Sequence, residues 1–443
     1  MKLDGRQSHW TVPFFTIWTG QAFSLIGSAL VQFALVWWLT ETTGSATVLA
    51  SAVAVALLPG MFLGPFVGAL IDRWDRRKVM ILSDGLIALM AAGLACIFWS
   101  GRMRVGYIYI VVLVRAVAGI FHWPAWQAST SLMVPQGHLP RIAGMNQTIR
   151  GAVDIVSPPL AALLLLKMPL YGVLMVDVVT AALAISSLLI VHVPKPSRTE
   201  PLAGTTAPSL WGDVRVGFRY LRDRPGLLAI GLVASVLNFL VWPSMALTPI
   251  LVTNHFRGQA LQLGWLNSTW GIGLVSGGLI LSVWGGFRRR ISTCIMGVIG
   301  LGIGFSLVGL TPSTAFGLAL VGLFCGGVMH SMTQGAAFAL LQEVVAPEMQ
   351  GRVFTSLGSL TSAMAPLGMA IAGPVADLLG VRWWYIGSGA AQVLLGIAAT
   401  FVPAIMLLEE KHSRRLVRTA PADDGHRAPV ADVGPRINQP TVD

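Results

Sequence analysis

Gly68-Ala-Leu-Ile-Asp72-Arg73-Trp-Asp75-Arg76-Arg77-Lys78 separates two apolar runs, 46–71 and 79–100. Each run exceeds the roughly 20 residues a helix needs to cross a bilayer. A chain that crosses lipid, turns at the surface and crosses back reads this way. Gly68 permits close helix approach, Asp72 falls at a helix terminus, and Arg76 to Lys78 bring positive charge to the cytoplasmic face. In only one of two bundle arrangements would Asp72 pair with a basic residue or face a neighbouring helix N-terminus, which makes it a candidate latch. A plain positive-inside loop explains Arg76 to Lys78 but not the Gly68/Asp72/Arg73 spacing.

Outward from this loop the pattern repeats. Apolar stretches fall near 13–39, 46–71, 79–100, 105–127, 142–166, 169–192, 226–252, 262–285, 291–311, 314–340, 353–378 and 384–408. They predict an all-α polytopic membrane protein with twelve transmembrane helices. Composition agrees: of 443 residues, 54% are hydrophobic and 11% charged, whereas a soluble domain carries roughly 25% charged residues. An ordinary cytosolic enzyme is excluded. The first span is too long, and lacks the small-residue cleavage site, for a removable signal peptide. Cys96, Cys294 and Cys325 all lie in apolar runs and give neither a disulfide framework nor a metal cluster.

With the N-terminus inside, 24 of the 30 Lys and Arg residues fall in cytoplasmic segments. Arg102, Arg104, Lys167, Arg257 and Arg382 fall outside, and Arg115 lies within a span. That asymmetry predicts cytoplasmic termini. It also sets nucleic acid aside as a partner, because the net charge of +11 is spread over separate loops.

The longest polar interruption, 193–225, divides the spans six and six. It predicts bundles over 1–192 and 226–411, with a disordered cytoplasmic tail over 412–443. Inside it, Leu210, Val214, Gly217, Phe218 and Leu221 share one helical face, and Arg215, Arg219 and Arg222 the other. A basic amphipathic helix resting on the inner leaflet is expected. Landmarks recur between the halves. Leu132-Met-Val-Pro135 matches Val344-Val-Ala-Pro347, Ser157-Pro158 matches Ala365-Pro366, and Arg76-Arg77-Lys78 matches Arg288-Arg289-Arg290. This internal repeat is what a transporter built from two similar bundles shows.

Gly-x-Leu-x-Asp-Arg-x-x-Arg-Arg-Lys over 68–78 resembles the signature loop, motif A, of the major facilitator superfamily. Gly44-Ser45-Ala46, Pro347-x-x-x-Gly351-Arg352-Val353 and Gly373-Pro374-x-x-Asp377-x-x-Gly380 resemble its macrolide-efflux type of drug:proton antiporter. Enterobacterial siderophore exporters share much of this pattern. The resemblance covers nearly all of 10–410 and implies two six-helix bundles around a midplane cavity. It assigns gating to Gly68, Asp72, Arg73, Arg76 and Arg77; Asp84, one turn inside span 3, either joins the Asp72 network or is solvated at the interface. Two departures stand out. The second half has Val283-Trp284 where Asp-Arg would fall, so a latch there is one-sided. The family's Gly-Pro motif in span 5 is replaced by Ser157-Pro158-Pro159, which loosens the link to antiport.

Ionisable side chains in spans are costly and read as functional by default. Arg115 occupies the place of the family's motif-B arginine, and at ~1.5 Å per residue both it and Asp154 fall near the midplane. We expect the two to meet, or share a water, and to couple protons; a purely structural buried pair is an equal reading. Asp177 is a weaker proton candidate. Arg150 either snorkels or faces the cavity, and Glu41 reads as a solvated cap. Gln21, Gln32, Trp123, Trp126, Asn146, Gln147, Asn238 and Trp242 are candidate cavity residues, although interhelical hydrogen bonds and interfacial belts explain many such side chains. His122, His330 and Gln334 carry the same ambiguity.

The chain has no phosphate-binding Gly-x-x-x-x-Gly-Lys-Ser/Thr loop, no Gly-x-Ser-x-Gly elbow and no His-Glu-x-x-His. No enzyme activity, metal or cofactor is expected. The resemblance implies a monomeric multi-pass protein of a bacterial inner membrane, exporting amphipathic, macrolide-like small molecules in exchange for protons. A siderophore or metabolite exporter is the alternative, and a non-transporting scaffold or sensor a more distant one.

Overall fold

A computed structural model of the chain describes residues 10–191, 193 and 210–408, except the side chains of 65, 68, 69, 72, 73 and 210–214. The side chains of Gly68, Asp72 and Arg73, the centre of the expected gate, therefore lie outside the described residues, as does the tail expected over 412–443. Among the described residues twelve long helices are present: α1 Thr11–Thr43, α2 Ala46–Arg73, α3 Arg76–Trp99, α4 Val105–Met133, α5 Leu139–Lys167, α6 Leu170–Ile190, α7 Pro225–Ala246, α8 Ala260–Trp284, α9 Arg290–Leu310, α10 Phe316–Val344, α11 Pro347–Leu379 and α12 Val381–Thr400. No strand occurs among the described residues. Eleven of the helices are long and apolar enough to cross a membrane; α12, which opens with Arg382, is the twelfth.

Two ends differ from expectation for backbone reasons. The last span begins three residues early, after Gly380 at φ +93°, and stops at Thr400, with Pro403 opening a separate short turn, Pro403–Met406. Span 7 ends at Ala246; Pro249 lies in a short following turn, and Leu251–His255 forms a π turn. Proline has no N–H to continue the ladder.

The packing is a repeat shifted by six helices. α1 packs on α5, α2 on α4, and α3 on α4 and α6; α7 packs on α11, α8 on α10, and α9 on α10 and α12. The bundles join through α2 on α11 and α5 on α8, which the same shift interconverts. One continuous apolar core, from Leu30 and Leu49 to Leu263, Phe305 and Met369, links the two bundles at the end away from the Arg76–Lys78 loop. At the basic end each bundle keeps its own core, one around Phe14, Ile71 and Trp126 and the other around Ile291, Leu340 and Leu357.

The helix Leu210–Arg222 keeps Arg215, Arg219 and Arg222 exposed, as its pattern requires. It docks on protein, however: Leu221 is fully buried, and Gly217 lies so close to Arg352 and Ser356 of α11 that a Cβ would collide with them. The first turns of α11 thus take Leu221 and Gly217, while Val216 and Phe218 stay exposed.

Candidate functional site

Two connected lobes open between the bundles, sharing Ala29, Gln32, Val153 and Asp154. The first, of about 510 Å³, lies wholly within α1–α5. The second, of about 640 Å³, is framed by α1, α5, α7, α8, α9 and α10. The first extends from the middle of the helices toward the basic end, where Trp18, Trp126 and Asn146 line it; the second runs from Asn238 and Gln334 toward Met245 and Leu263 near the opposite end.

The opposite end is sealed by two devices. Pro159 has no N–H for the carbonyl of Ile155, one turn back; the Ser268 hydroxyl on α8 donates to that oxygen at 2.5 Å. Gly264 and Gly271 permit the approach, since a Cβ would come to 2.9 Å from Pro159 Cα and from Ile155 Cγ1 respectively. The Ser157-Pro158-Pro159 departure thus has a structural use. The second device lies on α11, where the Asp377 carboxylate accepts the backbone N–H of Ala46 at 2.7 Å and of Thr47 at 2.9 Å, and the Ser45 hydroxyl at 3.0 Å.

Within the first lobe the charges are arranged unevenly. Arg115 Nη1 donates to Asp177 Oδ2 at 2.6 Å, and its Nη2 donates to Ser28 O at 3.2 Å. The Ser28 hydroxyl donates to the other Asp177 oxygen at 3.1 Å. Asp177 is fully buried. It reaches α1 because Gly27 has no side chain: a Cβ there would stand 3.1 Å from Asp177 Oδ1. The expected Arg115–Asp154 meeting is therefore corrected. Neighbours in sequence need not be neighbours in space; α4 packs on α2 and α3, whereas α5 packs on α1 and α8.

Asp154 is exposed to the cavity, makes no described hydrogen bond or ion pair, and is the one ionisable residue lining both lobes among the described residues. Arg150, one turn before it, lays its guanidinium 3.2 Å from the centre of the Trp123 ring, a cation–π contact. Asp84 is buried at 3% exposure. Its partners are Gln21, whose Nε2 donates to Oδ2 at 3.0 Å, and His122, whose Nε2 lies 3.3 Å from Oδ1. That contact is within reach of charge attraction but off the hydrogen-bond axis. Its described contacts run inward to α1 and α4, while the side chain of Asp72, the centre of the network it is expected to join, lies outside the described residues.

Arg76 Nη1 donates to Ala128 O at 3.0 Å, and Arg77 donates to Leu188 O at 2.6 Å and Leu189 O at 2.8 Å. These bonds fasten the start of α3 to the last turns of α4 and α6; on α6 they satisfy end carbonyls that lack internal partners. Trp18 Nε1 donates to Asn146 Oδ1 at 2.8 Å, and Trp242 Nε1 donates to Asn238 Oδ1 at 3.0 Å. Gln21, Gln32, His122, Trp123, Trp126, Asn146, Asn238, Trp242, His330 and Gln334 all line the lobes. Gln147 is exposed and lines neither. Sequence reasoning missed Ser28, Ser268 and Trp270; the small-residue pair Gly27-Ser28 was the available signal for the first. Among the described residues no group of His, Cys, Asp and Glu is placed to hold a metal.

The sequence profile of the Major Facilitator Superfamily matches residues 17–251 and 230–433. The chain is 34% identical over 407 residues to Macrolide efflux protein A of Streptococcus pyogenes, covering 92% of this chain and all of that one. It is 27% identical over 399 residues to Multidrug efflux pump Tap of Mycolicibacterium fortuitum, covering 86% and 94%. Among solved structures, a bacterial homologue of the iron transporter ferroportin in an inward-facing state superposes with a TM-score of 0.66 at 15% identity, covering 88% and 99%. A bacterial homologue of the lysosomal transporter Spinster does so at 0.64 and 12%, covering 94% and 100%.

Proposed function

The chain belongs to the major facilitator superfamily of membrane transporters, and on that premise we propose that it exports amphipathic, macrolide-like molecules in exchange for protons. The observation that carries the reading is Asp154: a cavity-facing carboxylate with no described hydrogen bond, one turn from Arg150, whose charge it feels, at the seam of both lobes. A carboxylate there attracts a proton or a cationic group of the substrate, and holding either one disfavours the other. Arg115 and Asp177 neutralise each other and hold α1, α4 and α6 in register beside it. The second lobe offers Trp242, Trp270, Met245 and Leu274 for apolar surface, with Asn238 and Asn267 for polar groups.

We assign the basic end to the cytoplasm, which puts both termini inside a bacterial inner membrane and follows the excess of Lys and Arg. The arrangement is then inward-facing, with a shared core closing the outer end. The bundles 1–192 and 226–411 rock as halves about α2–α11 and α5–α8, joined by 193–225, and the protein acts as a monomer. Each proton entering with the membrane potential contributes ~2.3 kcal/mol per 100 mV. The names of the relatives, macrolide and multidrug efflux, support the substrate class. A siderophore exporter is less well supported: Arg115 is consumed by Asp177 and Arg150 lies over Trp123, leaving little cationic surface for an anionic chelate.

The test is uptake of radiolabelled erythromycin into inverted vesicles under an imposed ΔpH. Asp154→Asn is expected to abolish the ΔpH-driven component while leaving exchange of bound drug. Full ΔpH-driven uptake by this variant overturns the coupling role, and uptake by wild type that a protonophore leaves unchanged overturns proton coupling altogether.

A further inference from the structure

We propose that Asp84 and His122 form a second proton-carrying site, one that loads and unloads with each transport cycle; this rests on the exporter reading above. Among the described residues, the two buried acids of the first bundle are served differently. Asp177 has a permanent counterion in Arg115 at 2.6 Å. Asp84, equally withdrawn from solvent, is bonded to the neutral amide of Gln21 and faces a base whose charge comes and goes, the His122 imidazole. Neither lysine nor arginine lies within ion-pair distance of it among the described residues. A lone carboxylate buried in a lipid-embedded bundle is costly, and a proton on His122 removes that cost by bringing the pair from −1 to zero. His122 Nε2, turned toward Oδ1 with no hydrogen bond of its own, is the atom that takes it.

Position supports the assignment. His122 and Arg115 are seven residues apart on α4, about 10 Å, so the exchangeable pair and the permanent pair are separate stations along one wall. Asp84, His122 and Gln21 all line the first lobe, on its basic-end side. The other charged groups facing that lobe are Arg115 from α4 and Arg150 and Asp154 from α5, with Asp177 of α6 behind Arg115; α1 contributes none among the lining residues. In the inward-facing arrangement the proton leaves Nε2 for cavity water as drug binds. It is replaced from the outer side once the bundles have rocked.

The test uses purified protein in liposomes with radiolabelled erythromycin. His122→Gln and Asp84→Asn are expected to keep counterflow exchange, which needs no net proton movement, within about twofold of wild type. Accumulation driven by ΔpH is expected to fall at least tenfold and to lose its dependence on internal pH. Wild-type accumulation with an unchanged pH profile in either variant overturns the proposal. So does a parallel loss of counterflow in a variant that melts like wild type, which marks a packing or binding role. Failure of wild type itself to respond to ΔpH sinks the exporter reading along with this one, whereas full drive in His122→Gln sinks this one alone. A second measurement needs no variant: in nanodiscs, one nitrogen-labelled histidine ring is expected to give up a proton on adding erythromycin. No change in any ring overturns the proposal.

Discussion

The Asp377 carboxylate accepts the backbone N–H of Ala46 at 2.7 Å, so a side chain of one bundle caps the first turn of a helix in the other. The first N–H groups of a helix have no internal partners; here Asp377 takes those of Ala46 and Thr47, and the Ser45 hydroxyl takes that of Val48. On the alternating-access reading proposed above, the Asp377 cap is a contact that opening of the outer end must break.

Replacing Asp377 by Ala is expected to remove about 1 kcal/mol from the closed outer end, the usual worth of such a cap. That shifts the balance of conformations roughly fivefold toward opening. Pulsed electron-resonance distances between spin labels at Thr42 and Asn254, both exposed at the outer end, report it. An unchanged distance distribution would show that the cap carries no weight in the switch.

Ser268→Ala leaves the Ile155 carbonyl without its donor, at a cost of about 1 kcal/mol. Pro159→Ala restores an N–H in the helix to that same oxygen. The double variant is thus expected to melt above Ser268→Ala alone, in detergent. Additive losses from the two changes would refute this account of the proline.

Removing one partner from the Arg115–Asp177 pair strands a buried charge. Asp177→Asn is expected to destabilise the first bundle by about 3–5 kcal/mol, with Arg115→Gln in the same chain recovering much of it. The readout is a double-variant cycle of thermal melting; two losses that simply add would show that the groups do not act as a pair.

Gly264→Val places side-chain carbon against the Pro159 backbone, where a Cβ already comes within 2.9 Å of Cα. Backbone cannot step aside, so the outer seal is expected to stay ajar. A cysteine introduced at Asn238 should then react several-fold faster with an impermeant maleimide added outside. Equal rates in the two backgrounds would mean that α5 and α8 close by another route.

Much of this architecture was readable beforehand because hydropathy acts locally. Eleven of the expected spans coincide with helices that meet the membrane criterion, and the repeated Pro and Arg landmarks reappear as the six-helix shift in packing. What could not be read was which helix lies beside which. Arg115 was matched with Asp154 because α4 precedes α5, yet the bundle seats α5 on α1 and hands Arg115 to Asp177 through Gly27 and Ser28. Nor does the sequence show that Asp84 meets Gln21 of α1 and His122 of α4. Pair identity follows from tertiary packing, which no linear pattern encodes.

All three acids of the cavity region, Asp84, Asp154 and Asp177, belong to the first bundle, while the second lobe draws most of its aromatic and amide lining from the other. On the exporter reading proposed above, fuel and cargo have separate landlords: changes in α7, α8 or α10 would redraw the range of compounds recognised without touching the acids that take up protons, so that a new substrate asks for rewriting only half of the chain.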